Sequence, residues 1–198
     1  QEKRRETSLT VGCEMYARSW ISSHLSLLEG ASASGNYSCA EGFYTVASGE
    51  GSHAEGFGGS PISGEEPNRA TAKGSHAEGC CTAAYGQASH VEGSYTYSFG
   101  IASHAEGYMT STGISADYSH TEGYKTSTQG QASHAEGDST ITNNPAEHAE
   151  GRYNKSNQTS NTFGDAGNTL HSIGIGNRVG TGMPTLKNAF DSILIVYF

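Results

Sequence analysis

Seven histidines and eight glutamates recur at fixed spacing along this chain, and both side chains can carry protons, ligate metal ions or pair with each other. The histidines are His53, His76, His90, His104, His120, His134 and His148; the glutamates are Glu41, Glu55, Glu78, Glu92, Glu106, Glu122, Glu136 and Glu150. They sit in the phrase Ser-His-Ala-Glu-Gly, which reads Ser52-His53-Ala54-Glu55-Gly56 and then closes on Gly79, Gly93, Gly107, Gly123 and Gly137, with Val91 and Thr121 standing for alanine in two copies. At the flanks, Ser38-Cys39-Ala40-Glu41-Gly42 puts cysteine in the histidine position, and Glu147-His148-Ala149-Glu150-Gly151 puts glutamate in the serine position.

Three chemistries compete for these columns. A hydrogen-bonded His–Glu lattice, along the chain or between copies of it, is the leading reading, because a group repeated in every unit serves the whole array. A metal ladder is the second: the ligands would be His53, Glu55, His76, Glu78, His90, Glu92, His104, Glu106, His120, Glu122, His134, Glu136, His148 and Glu150. Imidazole and carboxylate are competent zinc ligands, but no closed set of three or four emerges from spacing alone, so no metal or cofactor is expected. Catalysis ranks last, because a catalytic site needs one distinctive environment and this chain offers the same one in every unit. The chain is expected not to be an enzyme.

The elements that position these groups follow from the beat. Between Gly30 and Gly151 the repeat glycines are separated by 12, 14, 23, 14, 14, 16, 14 and 14 residues, which makes about eight coils with a few insertions. Each 14-residue unit divides into two heptads ending in glycine, as in Thr45-Val46-Ala47-Ser48-Gly49 before Ser52-His53-Ala54-Glu55-Gly56. Two short strands per coil are expected, in an all-β parallel β-roll or solenoid. Strand alternation sends Ser/Thr and Ala to one face and His and Glu to the other, so the small residues must be the interior. Glycine is expected to supply a positive φ at each corner. Coils about 4.8 Å apart give a rod of about 40 Å, held by backbone ladders, by aromatic stacking just after the glycines (Phe43, Phe57, Tyr108, Tyr124) and by association.

Composition agrees. Only 34% of the 198 residues are apolar while 27 are glycine, too little apolar mass for an ordinary core. A net charge of -9 argues against a nucleic-acid partner. No run of 18 apolar residues suggests membrane insertion, and the start lacks a signal-peptide pattern. Cys13, Cys39, Cys80 and Cys81 show neither a disulfide rhythm nor a Cys-x-x-Cys motif.

Three regions are expected: a non-repeat N-terminal segment or cap over residues 1–28, holding Trp20; the roll over 29–151; and a C-terminal transition over 152–198, which reads as truncated. The last residues, Ser192 to Phe198, form an apolar strand that calls for a partner chain or a continuation. The 23-residue interval contains a loop over 58–68, with Pro61, Glu65 and Glu66, and the 16-residue interval contains a smaller bulge over 113–117. Opposite the constant His–Glu face, the second heptad varies, carrying Tyr85, Tyr97 and Phe99 with Tyr95 nearby. These aromatics, together with Pro61, Glu65 and Glu66, are the candidate target contacts.

The heptads resemble the left-handed parallel β-roll of YadA-like trimeric autotransporter adhesin heads, with their Ser-x-Ala-x-Gly repeats. The Ser-His-Ala-Glu-Gly form is similar to repeat regions of phage tail-fibre and tail-spike proteins. The resemblance covers roughly residues 29–151, and Lys187-Asn188-Ala189-Phe190 looks like the start of a trimerisation or self-cleaving region. It implies a homotrimeric, extracellular fibre component on a virion tail or bacterial surface, binding a cell-surface glycan or protein. In the adhesin heads the variable positions are often apolar; His and Glu there imply a polar, pH-sensitive interface, since protonating seven histidines would move the charge from -9 to -2.

Two other functions compete. A threonine column at Thr45, Thr82, Thr96, Thr110, Thr126 and Thr140 suggests an ice- or surface-binding solenoid, although alternation turns these threonines inward. The chain could also be the repeat arm of a self-processing tail spike whose protease lies outside it. A calcium-binding roll is disfavoured because the aspartates at 117, 138, 165 and 191 stand singly.

Overall fold

The computed structural model describes residues 25–27, 30–59, 64–158, 160–178, 180 and 182–193. Of the expected N-terminal cap over 1–28 only Leu25–Leu27 is described, and it pairs in parallel with Cys39–Glu41 as a strand of the roll; Trp20, Cys13, Pro61 and the terminal apolar residues 194–198 lie outside the described residues.

Two sheets run along the chain in alternation. One contains Leu25–Leu27, Cys39–Phe43, His53–Phe57, His76–Cys80, His90–Val91, His104–Ala105, His120–Thr121, His134–Ala135, His148–Arg152, Thr169–Ile175 and Asn188–Ile193. The other contains Ser32–Ala33, Thr45–Ala47, Asn68–Ala70, Ala83–Ala84, Tyr97–Ser98, Ser111–Thr112, Ser127–Thr128 and Ile141–Thr142. Up to Thr169–Ile175, successive strands of each sheet pair in parallel without slippage, so His53 meets His76, His76 meets His90, and His134 meets His148. This is an all-β solenoid with two short strands per coil. Among the described residues no helix is long and apolar enough to cross a membrane.

The interior is a file of small side chains. Ala40, Ala47, Ala54, Ala70, Ala77, Ala84, Val91 and Ala105 are fully buried between the sheets. Hydroxyls close the corners on either side of this file. Ser89 Oγ donates to the Gly86 carbonyl at 2.7 Å and Ser103 Oγ to that of Gly100 at 2.7 Å, at the turn into the His–Glu sheet. At the opposite turn Thr96 Oγ1 donates to the Glu92 carbonyl at 3.1 Å and Thr140 Oγ1 to that of Glu136 at 2.9 Å. These Ser and Thr hydroxyls are interior turn locks on buried corner carbonyls, whereas Thr45 and Thr110 Oγ1 of the same column are buried without a partner.

Glycine does two different jobs at the two corners. Gly107 has φ +104°, and a Cβ there would stand 2.2 Å from the Gly123 carbonyl oxygen, so both its conformation and its space demand glycine. Gly100 needs only the space: a Cβ would lie 2.1 Å from the Ala116 oxygen, while the left-handed residue of that corner is Ala102 (φ 50°). The expectation of a positive-φ glycine at every corner is thus corrected. Coil-to-coil contact, rather than turn conformation, excludes a side chain at the second corner.

Within the 23-residue interval the strand ends at Phe57 and the described residues 58–59 and 64–67 carry no strand. The ladder resumes at Asn68, which takes the threonine slot opposite Thr45 and accepts a bond from the Thr82 amide at 2.7 Å. The parallel ladder also continues past residue 151. Thr169–Ile175 pairs with His148–Arg152, placing His171 on His148, Ser172 on Ala149 and Gly174 on Gly151. Residues 153–168 are the insertion within this further coil, and Asn154 fills the threonine slot, bonding both ways to the Ile141 backbone at 2.8 and 2.9 Å. Asn188–Ile193 then turns antiparallel and ends the roll pattern.

Candidate functional site

Strict register converts the histidine spacing into one continuous stack. His53, His76, His90, His104, His120, His134, His148 and His171 have successive ring centroids 4.7–5.0 Å apart and planes within 9° of parallel. The stack ends edge-on against Phe190 at 5.6 Å. His171 escaped the repeat pattern because alanine and glutamate of the phrase are replaced there by Ser172 and Ile173. The signal that could have found it is the 23-residue step from Gly151 to Gly174, the same step as from Gly56 to Gly79.

The glutamates form a parallel column beside the rings. Six of the imidazoles approach the glutamate of the preceding coil: His76 Nε2 lies 3.7 Å from Glu55, His90 4.0 Å from Glu78, His120 3.5 Å from Glu106, His134 3.8 Å from Glu122, His148 3.4 Å from Glu136 and His171 3.4 Å from Glu150. None of these contacts has hydrogen-bond geometry, and all eight Nε2 atoms are shielded from solvent without a hydrogen-bond partner. Between the glutamate and glycine columns runs a groove of about 790 Å³, from Glu55 to Gly137.

Stacking like groups forces them to share charge. Glu78 is pushed up to about 7 by a carboxyl–carboxylate hydrogen bond to Glu92, and Glu106 up to about 8 by such bonds to Glu92 and Glu122. Glu136 is raised for the same reason through Glu122, whereas Glu92 and Glu122 are lowered by the complementary bonds. Glu106, and Glu78 in part, therefore keep a proton at neutral pH and share it with Glu92 and Glu122. His76, His104 and His134 are lowered, first by burial and then by the flanking imidazoles. The lowering disfavours a full ion pair in the His76–Glu55 and His134–Glu122 contacts.

The metal-ladder residues do come together. Ligand atoms within 4.8 Å of one another occur in His53/Glu55/His76, His76/Glu78/His90, His104/Glu106/His120 and Glu122/His134/Glu136, and also in Cys39/Glu41/His53. Parallel rings, however, direct their lone pairs side by side instead of toward one point. A tetrahedral ion would require the stack to open. The columns stand instead as close His–Glu approaches, not as the hydrogen bonds expected between them.

The expected target-contact residues divide between two places. Tyr85 and Phe99 stack at 5.0 Å on the outer face of the second sheet. The Tyr97 phenol is raised by burial, then by Tyr85, with a contribution from Glu66. Tyr95 belongs instead to the corner column, where it meets Tyr108 edge-on at 6.2 Å, and Tyr108 stacks on Tyr124 at 5.6 Å. Its phenol is raised by Cys81 first and then by Glu65. Glu66 holds Arg69 in an exposed pair at 3.4 Å. Sequence reasoning did not anticipate a second groove, of about 680 Å³, on the far side of Phe99.

No known protein-family model matches this chain, and no curated protein is detectably similar to it in sequence.

Proposed function

We propose that this chain is the β-roll segment of an extracellular attachment fibre, a virion tail fibre or bacterial adhesin head, which trimerises through its His–Glu face and offers the opposite face to a cell-surface target. The observation that carries the reading is the contrast between the two sheets. One repeats the same His and Glu in coil after coil, with water-shielded Nε2 atoms that find no hydrogen bond within the chain. The other carries Val46, Arg69, Ala83, Tyr97, Ser111, Ser127 and Ile141 at equivalent positions. A constant face suits identical neighbours related by symmetry, and a varied one suits a foreign target.

The threonine column required by an ice-binding surface is interior, with Thr45, Thr82, Thr96 and Thr110 fully buried, so that alternative lacks its contact face. The deciding experiment is solution molar mass by light scattering. A trimer of about 62 kDa, three times 20.7 kDa, supports the fibre reading; a stable monomer at micromolar concentration removes trimerisation through the His–Glu face.

A further inference from the structure

A solenoid presents a unique surface only where its repeat is broken, because every regular coil reproduces the one below it. Two breaks flank a single groove on the outer side of the second sheet. The bulge of the 16-residue interval raises Gly113, Ile114 and Ser115 on one side, and the insertion over residues 153–168 brings Gln158 and Asn161 to the other. Between them lie Ser111, Gln129 and Asn143, and Phe99 stands at one end. The volume, about 680 Å³, falls in the ordinary range for small-ligand sites.

The chemistry of the lining is selective. Five carboxamides reach it, from Gln129, Gln131, Asn143, Gln158 and Asn161, and among the described residues no acidic or basic side chain does, on a chain whose net charge is -9. Two of the amides are held in place: Gln129 Nε2 donates to Ser127 Oγ at 2.9 Å, and Gln158 Nε2 donates to the Asn143 carbonyl at 2.9 Å and to Asn161 Oδ1 at 2.7 Å. Such groups offer donor and acceptor side by side, which matches vicinal hydroxyls, themselves donor and acceptor at once. Phe99, braced against Tyr85 and 40% exposed, gives a flat apolar surface at the end of the groove, and Ile114, 82% exposed, gives a second on the wall. A phosphate or carboxylate ligand would call for Arg or Lys here, and a cation for Asp or Glu.

We propose that this groove binds an uncharged oligosaccharide, its sugar faces against Phe99 and Ile114 and its hydroxyls on the carboxamides. The assignment rests on the attachment-fibre reading and names the ligand class and the place of contact.

The test is an array of neutral glycans (hexose and N-acetylhexosamine oligomers) beside sialylated, uronate and phosphorylated ones, followed by calorimetric titration of the best neutral oligomer. Gln129→Ala and Phe99→Ala remove contacts, and Ser115→Arg fills the groove without removing any bond within it. The expected result is neutral-glycan binding by the wild type and at least a tenfold weaker affinity in each variant, with melting temperatures unchanged within about 3 °C for Gln129→Ala and Ser115→Arg. No neutral binding, binding of acidic glycans alone, or variants that bind as wild type overturn the proposal. Light scattering on the same samples separates it from the assembly reading: a trimer that ignores neutral glycans sinks only the groove, and a monomer that binds them sinks only the trimer.

Discussion

The imidazole of His104 lies 4.7 Å from that of His120 and within 4° of parallel, so a charge on either ring would face the other across almost no solvent. Lowered histidines bind fewer protons folded than unfolded. Their contribution to stability is therefore present above the ordinary histidine value and is lost as pH falls through and below about 6.5. Raised glutamates act in the opposite sense. Glu78 near 7 and Glu106 near 8 keep protons that the unfolded chain has released, so their contribution is complete below about 4.5 and lost as pH rises to 7–8.

The two effects oppose each other around pH 5–6.5, and above that only the glutamate loss remains. Glu92 and Glu122, which are lowered, add a loss below their ordinary value. The melting temperature should peak near pH 6 and fall toward both pH 4 and pH 8.5. In Glu106→Gln, which keeps an amide donor where the proton was, the alkaline fall should shrink. Scanning calorimetry across this range checks it, and a melting temperature that climbs steadily to pH 8.5 would contradict the proton-sharing column.

Ala105 is completely buried in the alanine file. Leucine there has nowhere to go but into the facing sheet, so Ala105→Leu should cost roughly 1–3 kcal/mol. Chemical denaturation of the pair would show a lowered midpoint with little change in slope.

Gly107 and Gly51 separate space from conformation. Both have positive φ, +104° and +63°, but a Cβ on Gly107 meets the Gly123 oxygen at 2.2 Å, whereas one on Gly51 meets nothing within 4 Å. Gly51→Ala should cost about 1–2 kcal/mol, the ordinary left-handed penalty. Gly107→Ala should cost clearly more, because two backbones must move apart. Equal losses in a thermal melt would refute the close-approach account of this glycine column.

The architecture was legible because a 14-residue beat and strand alternation leave one solution: His and Glu on one side, Ala, Ser and Thr on the other. The fate of the hydroxyls was only partly legible. Ser103 and Thr96 point inward as alternation requires, but their bonds to the Gly100 and Glu92 carbonyls depend on corner geometry that no spacing encodes. His171 was missed because the insertion over residues 153–168 carries it out of step. Tyr95 was grouped with Tyr97 by proximity in sequence, yet the left-handed corner at Tyr95 (φ 55°) turns the chain between them. The carboxamide groove was invisible for a deeper reason. Its two walls come from separate insertions, and only the coil-by-coil register brings Gln129 within reach of residues 158–161.

Glu147 stands where the other coils place serine, and its carboxylate does a different job. Its Oε2 accepts from Ser156 Oγ at 2.8 Å, from the Asn143 and Asn144 amides at 2.9 and 3.0 Å and from Asn144 Nδ2 at 2.7 Å. Burial pushes its acidity toward the protonated form while these bonds pull back. Glu147→Ala should lose about 1.5–3 kcal/mol, the range for hydrogen bonds to a charged group, and loosen the insertion that carries Gln158. Glu147→Gln keeps an acceptor oxygen and should lose less. Amide exchange at Ser156 and Asn157 reports the loosening directly, and exchange unchanged in Glu147→Ala would show that the insertion is held by other contacts.

The last prediction concerns chelation. Rings parallel within 9° aim their nitrogen lone pairs along parallel lines, so a shared ion between His76 and His90, or between His104 and His120, would have to tilt both rings and break the 4.7–4.8 Å stack. The alternating carboxyl–carboxylate bonds already relieve the repulsion that a cation would otherwise be needed to neutralise. The assembled protein should therefore keep its molar mass and melting temperature after exhaustive EDTA treatment, and zinc at equimolar concentration should leave both unchanged. If EDTA dissociates it, or zinc raises the melting temperature by more than about 5 °C, the columns are a metal ladder, and the metal-free account of this face fails.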